Sequence, residues 1–324
     1  MAKILITGGG GFIGAYISRE LLERGEEVVI YDSFVQYISP LESYYQLYVE
    51  KRFDGIKDKV VIIRGDTRDK HDIRRAIVSH RPERIIHLAA LPIADLSNTH
   101  SEEALSSILN GTVNILEVMR DVDYIERFVY ASSSMVYGDF TYRPADEDHP
   151  KNPKDVYGGT KLAGEVLTQS FGRRYGMKYT IIRPSAVYGP TDVNRRVSQI
   201  FIENAIKGIP LELHDGGESS LDFSYVKDVA HGFVLATFSE RAKNQTYNIT
   251  RGEGRSLREF VDILRTMIPD IKVVETAADI FRPSRGSMDI SKARKELAYD
   301  PSYSLEDGLK EYVDFVKGLD VIKK

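Results

Sequence analysis

Residues 3–14 read KILITGGGGFIG, and the reading of this stretch organises the rest of the chain. Lys3 to Thr7 is a short apolar run of the kind that forms a buried strand, and it ends at once in Gly8, Gly9, Gly10 and Gly11. From Phe12 the apolar spacing turns helical and continues to Arg24, with Gly25 placed as a C-terminal cap. Glycines 8, 11 and 14 therefore sit at a strand-to-helix junction. Backbone without a Cβ turns tightly and lets a diphosphate approach the amides. The helix N-terminus adds unpaired N–H groups and a favourable dipole. A plain flexible turn is the competing reading.

The same rhythm repeats outward from this point. Glu27–Tyr31, Val60–Arg64, Arg84–His87, Arg127–Ala131 and Tyr179–Arg183 read as further strands, with helices expected near 70–79, 102–120 and 156–175. Near-continuous apolar strands alternating with helices predict a parallel sheet covered on both faces. After residue 184 the rhythm breaks into a turn-rich stretch. Beyond it come a helix near 196–207, short strands near 211–213 and 246–249, and helices near 256–268 and 304–317. The expectation is an α/β chain: a Rossmann-type doubly wound parallel sheet over 1–183, with a smaller mixed α/β domain over 184–324. Part of 222–250 is left open to return to the first domain. The tyrosine-rich stretch at 37–48 reads either as an exposed interface helix or as ordinary packing.

Composition excludes several classes. The 324 residues carry a formal net charge of −4, so nothing in bulk draws the chain to nucleic acid or anionic membrane. There is no cysteine, which removes disulfides, thiolate metal sites and a cysteine nucleophile. No metal site is expected. Glycines interrupt the apolar N-terminus, and no run approaches the ~18 apolar residues of a membrane span. A cytoplasmic setting is expected, with no nucleic-acid or membrane partner.

Asp32 ends the second strand, 18 residues after Gly14. A carboxylate there can accept both hydroxyls of an adenosine ribose and repels a 2′-phosphate, favouring NAD over NADP; a solvated turn aspartate is the alternative. Asp66 and Thr67 follow the third strand, where an aspartate can reach an adenine amino group or cap a helix. Tyr157 and Lys161 are four residues apart at a helix start, which places both on one face. A nearby ammonium stabilises a phenolate and equips the tyrosine as a base. Ser132, Ser133 and Ser134 follow the fifth strand, where parallel sheets present ligands.

TGGGGFIG, HLAA at 87–90, NGTVNILE at 110–117, YASSSMVYG, YGGTK, AVYGP at 186–190 and LDFSYVKDVA at 221–230 occur in this order. Together they resemble the extended short-chain dehydrogenase/reductases of the nucleotide-sugar epimerase/dehydratase family, over essentially the whole chain. The resemblance implies tightly held NAD in an N-terminal Rossmann domain and a nucleotide-diphosphate sugar gripped by the C-terminal part. It implies Ser133, Tyr157 and Lys161 as the catalytic set. It places Gly8, Gly11, Phe12, Ile13, Gly14, Asp32, Asp66, Thr67, Leu88, Ala89 and Ala90, with Tyr157 and Lys161, at the cofactor, and Asn110 in support of the fold nearby. It also implies a homodimer pairing the helices near 102–120 and 156–175.

Similar dehydratases carry an Asp–Glu pair where this chain has Ser134 and Met135. Met135 cannot move a proton at C5, which leaves a 4-epimerase as the simplest chemistry. Similar epimerases have an arginine where Leu221 stands, and Arg282 in FRPSRG is the expected replacement at the diphosphate. Where the family has Asn or Thr, this chain has Ala186, with Ser185 as the compensating hydroxyl. Arg195 or Arg196 is placed to bind a sugar carboxylate, as in UDP-glucuronate; a solvated helix start is the alternative. The rival readings are a C2 epimerase of a CDP-sugar, a 4-keto reductase, and a non-catalytic NAD-binding regulator.

Overall fold

The structure, a computed structural model, describes residues 1–39, 44–279 and 281–319. Strands β1 (Lys3–Thr7), β2 (Glu27–Asp32), β3 (Val61–Arg64), β4 (Arg84–His87), β5 (Arg127–Ala131) and β6 (Tyr179–Arg183) join a seventh, Gln245–Asn248, in one sheet. All pairings are parallel, and the order runs from the seventh strand through 6-5-4-1-2-3. The order reverses at β1, which has β2 on one side and β4 on the other. That reversal opens a crevice beyond the carboxyl ends of β1 and β4, where open α/β sheets take their ligands.

Alternation along the strands builds two cores. Ile4, Ile6, Val28 and Ile30 cluster with Ile17 and Leu21 of helix Phe12–Glu23 and with Val229 and Phe233 of helix Val226–Phe238. Leu5, Val29 and Tyr31 point the other way. They meet Ile73 and Ile77 of helix Lys70–His80 and Ile115 and Met119 of helix Gly111–Arg120. Helices therefore cover both faces, as the doubly wound expectation requires.

The strand near 246–249 lies in the stretch left open to return to the first domain: Gln245–Asn248 pairs with β6 and buries Tyr247 completely. Two features depart from the sequence expectations. Helix Val226–Phe238 was not expected, although apolar residues at 226, 229, 230, 233 and 234 carry its period. It packs on helix Phe12–Glu23 beside the glycine loop. β3 is an edge strand, and Val61 and Ile62 stay exposed because β2 is its sheet neighbour on one side alone.

A third core lies beyond residue 184. Phe201 and Ile202 of helix Val197–Ile206, Phe260 and Leu264 of helix Leu257–Met267, and Leu309 and Val313 of helix Leu305–Lys317 pack together around the parallel pair Leu211–His214 and Val273–Thr276. The tyrosine-rich stretch resolves as packing: in helix Tyr45–Phe53, Tyr48 is fully buried against Phe315, while residues 40–43 lie outside the described residues. Buried Asp222 joins segments here, accepting from Thr250 Oγ1 at 3.0 Å, Met288 N at 3.0 Å and Gly252 N at 3.2 Å.

Candidate active site

A cleft of about 1050 Å³ runs from the glycine loop across the carboxyl ends of the strands to the third core. That exceeds the usual span for one small ligand, roughly 300–1,000 Å³, and suits two ligands end to end. Gly8, Gly11, Phe12, Ile13, Gly14, Asp32, Asp66, Thr67, Leu88, Ala89, Ala90, Ser133, Ser134, Tyr157, Lys161, Arg195, Arg196 and Arg282 all line it. Ser185 does not: it is buried, and its neighbours Pro184 and Ala186 line the cleft instead.

The glycine loop has the shape a diphosphate requires. Gly8 has φ of +72°, and a Cβ there would lie 2.7 Å from Ala89 N. A Cβ on Gly14 would lie 2.7 Å from Gly8 O and from Gly9 Cα. Helix Phe12–Glu23 begins at Gly11 with no side-chain cap and no acidic residue in its first turn, so its N-terminus faces the cleft with its dipole unanswered. Asp32 accepts from Gly10 N at 2.9 Å and Phe34 N at 2.7 Å, which leaves lone pairs for two ribose hydroxyls. Burial pushes its carboxyl up, and those backbone donors oppose the shift. Asp66 is partly desolvated, but the Arg68 guanidinium outweighs that and holds it below the usual carboxylate range. The cap of helix Lys70–His80 is Asp69, so neither Asp66 nor Thr67 serves there. These residues fit a dinucleotide.

Asn110 is exposed, contrary to the supporting role expected of it. Asn114, one helical turn on, fills that role: its Nδ2 donates to Thr67 O at 2.9 Å and Arg68 O at 3.1 Å, tying helix Gly111–Arg120 to the loop after β3. The paired asparagines of NGTVN were the available signal.

At the centre, Asp155 caps helix Val156–Tyr175 by accepting from Gly158 N at 2.6 Å, which aims the first turn into the cleft. The Ser133 hydroxyl lies beside the Tyr157 phenol and favours its charged form. Lys161 Nζ stands 5.8 Å from the centre of the Tyr157 ring and donates to Ala131 O at 2.7 Å. Burial raises the Tyr157 phenol; Arg196 and the Ser133 hydroxyl pull it back. The sequence reading assigns that work to Lys161; Arg196 is a further cation that favours the charged phenol. Burial brings Lys161 down to about 7, with Glu165 opposing. Behind the pair, the Arg183 guanidinium forks onto the Glu165 carboxylate at 2.8 and 2.7 Å, and Ser132 donates to the same carboxylate.

The sugar end corrects a second expectation. Arg282 is 64% exposed and paired with Asp279 at 3.0 Å, so its charge is answered at the exposed rim of the cleft. Three residues on, Arg285 lines the cleft with its Nε buried and without a protein partner, and its Nη1 makes a long 3.4 Å contact with Ser134 Oγ. Arg143 holds that loop through Arg285 O at 3.0 Å. Arg196 is held by both oxygens of Asp192 at 3.1 Å, while Arg195 is exposed at the rim. Leu221 lines the wall as an apolar residue.

A dinucleotide loop, a Ser–Tyr–Lys set and a second ligand space in one cleft define the extended short-chain dehydrogenase/reductase class. The chain belongs to the nucleotide-sugar epimerase/dehydratase family of that class: a family profile described as GDP-mannose 4,6 dehydratase matches residues 5–312. A putative UDP-glucose 4-epimerase of Methanocaldococcus jannaschii is 33% identical over 97% of this chain and 98% of its own length. The crystal structure of a UDP-glucuronic acid 4-epimerase from Bacillus cereus, in complex with UDP-glucuronic acid and NAD, superposes with a TM-score of 0.89 at 26% identity, covering 98% of this chain and 99% of that one. A UDP-glucose 4-epimerase from Thermotoga maritima with UDP-glucose gives 0.87 at 27% identity, over 98% and 99%.

Proposed function

We propose that this chain is an NAD-dependent UDP-sugar 4-epimerase, acting on a UDP-hexose or UDP-hexuronate. One observation carries the reading: the Ser133–Tyr157–Lys161 set lies in the same cleft as the glycine loop, with Met135 rather than a carboxylate beside it. NAD held at the glycine loop would supply the hydride acceptor and donor for sugar C4. Tyr157 takes the proton of the 4-hydroxyl as the C4–H bond breaks, and Ser133 steadies the same oxygen. The planar 4-keto sugar presents its other face, the hydride returns, and Tyr157 gives the proton back. Net oxidation is zero. Asp155 is a carboxylate near Tyr157 whose Oδ1 caps the helix through Gly158 N, while Met135, at the position that follows the serines, carries no acid–base group for elimination of water.

Gly8, Gly11, Phe12, Ile13, Gly14, Asp32, Asp66, Thr67, Leu88, Ala89 and Ala90 hold the cofactor in this reading. Arg285 takes the diphosphate role in place of Arg282, and Arg196 stands at the sugar. Residues 1–183, with the helix and strand of 226–248, form the cofactor unit, and the remainder binds the nucleotide sugar. Leu105 and Val166, exposed on helices that pack side by side, suit a homodimer contact. Among the described residues no helix is long and apolar enough to cross a membrane, and a cytoplasmic setting suits a chain without cysteine. The test is conversion of UDP-glucose, UDP-N-acetylglucosamine and UDP-glucuronate by the purified protein with no cofactor added, read by chromatography and NMR. Appearance of the C4 epimer supports the reading. Bound NAD with no conversion of any of the three overturns it.

A further inference from the structure

Arg52 stands outside every motif and every site residue named above, yet it is 3% exposed and lines the cleft. It comes from helix Tyr45–Phe53, which belongs neither to the glycine loop nor to the sugar end. Its guanidinium reaches both. Nη1 donates to Gly10 O at 3.1 Å, inside the glycine loop, and Nη2 donates to Thr191 O at 2.6 Å, in the turn after β6. Nε is buried with no protein partner.

The turn it holds is strained. Thr191 has φ of +73° and Arg195 φ of +50°. A β-branched residue rarely occupies positive φ unless neighbours impose it. The next residue, Asp192, is fully buried and fixes Arg196 through two 3.1 Å contacts, and Arg196 Nη2 reaches Pro92 O at 3.4 Å. Arg196 lines the same cleft as Tyr157 and favours its charged form. A continuous path of contacts therefore runs from Gly10 through Arg52, Thr191 and Asp192 to Arg196.

We infer that Arg52 is a positioning residue that fixes the register between the cofactor loop and the strained 191–196 turn, and so places Arg196 at Tyr157. The guanidinium suits this because its planar fork offers a separate nitrogen to each of two carbonyls from separate segments, whereas a lysine ammonium has all its donors on one nitrogen. Stability alone is a poor account of it, since a buried cation with an unmatched N–H is at best weakly stabilising. The titratable and charged neighbours of Tyr157 are Arg196, Asp155, Lys161 and Tyr130. Among these, Arg196 is the one that Arg52 governs.

The inference rests on the epimerase reading for its kinetic readout, but NAD retention tests it separately. Arg52→Met and Arg52→Lys are to be purified beside the parent, with folding checked by thermal melting. Both variants are expected to lose NAD about tenfold faster on dialysis, the effect of one charge-assisted hydrogen bond. Both are also expected to shift the acidic limb of the kcat/KM pH profile upward, in the same direction as Arg196→Met. Arg52→Met combined with Arg196→Met is expected to shift that limb no further than Arg196→Met alone. NAD loss within twofold of the parent in a folded variant overturns the inference, as does an unmoved pH limb or a fully additive double variant. If no sugar is turned over by the parent, the epimerase reading fails, and NAD retention alone decides the role of Arg52.

Discussion

Lys161 Nζ donates to the Ala131 carbonyl at 2.7 Å, so its ammonium is anchored to the end of β5. Burial there lowers the ammonium to about 7. Between that value and the ordinary lysine range, the folded chain binds one proton fewer than the unfolded chain. The burial penalty of Lys161 is therefore fully present below about pH 7 and fades as pH rises through the window. Lys161→Met is expected to melt higher than the parent at about pH 6, with the gap narrowing toward about pH 9 in NAD-free protein. A gap equal at both pH values contradicts the burial argument.

Tyr157→Phe removes the proton acceptor while keeping the ring. Turnover is expected to fall by roughly 10²–10⁴-fold, the usual worth of general acid–base catalysis. NAD content per chain should stay at the parent value. Loss of NAD along with turnover would assign Tyr157 to the fold instead.

Gly14→Ala places a methyl 2.7 Å from backbone atoms of Gly8 and Gly9, which have no side chain to move aside. The variant is expected to purify without NAD. Gly159→Ala is the control, because a Cβ there meets nothing within 4 Å. On a helix it should retain NAD and add up to ~1 kcal/mol of stability. Denaturant melts and the absorbance of released cofactor check both.

Arg285→Met and Arg282→Met separate two arginines three residues apart. A charge-assisted hydrogen bond contributes about 1.5–3 kcal/mol, so Arg285→Met should raise the KM for the UDP-sugar about 10–100-fold. Arg282, already answered by Asp279 at the surface, should leave KM within about threefold, as exposed pairs usually do. The reverse ranking would restore Arg282 to the diphosphate.

The parts of the site legible in the sequence are those carried by local pattern. KILIT followed by glycines announces a strand, a turn and a helix, because the side-chain period changes from 2 to 3.6 within a few residues. Tyr157 and Lys161 share a face for the same reason. Helix Val226–Phe238 had the period too, but lay in a stretch read as a motif rather than as an element. Asn114 was passed over for Asn110, since spacing within NGTVN does not say which amide turns inward.

What the sequence by itself determined is therefore the strand–helix order, the glycine cradle and the shared helix face of Tyr157 and Lys161, each encoded within about one turn or one strand. Tertiary structure decided which cations face the cleft. Arg285 keeps a buried Nε without a hydrogen-bond partner, whereas Arg282 is paired with Asp279 beside it. Arg52 acquires its place because Gly10 and Thr191, 181 positions apart in the chain, are brought to opposite sides of one guanidinium. Burial and counter-charge are properties of the assembled neighbours, and no local period carries them.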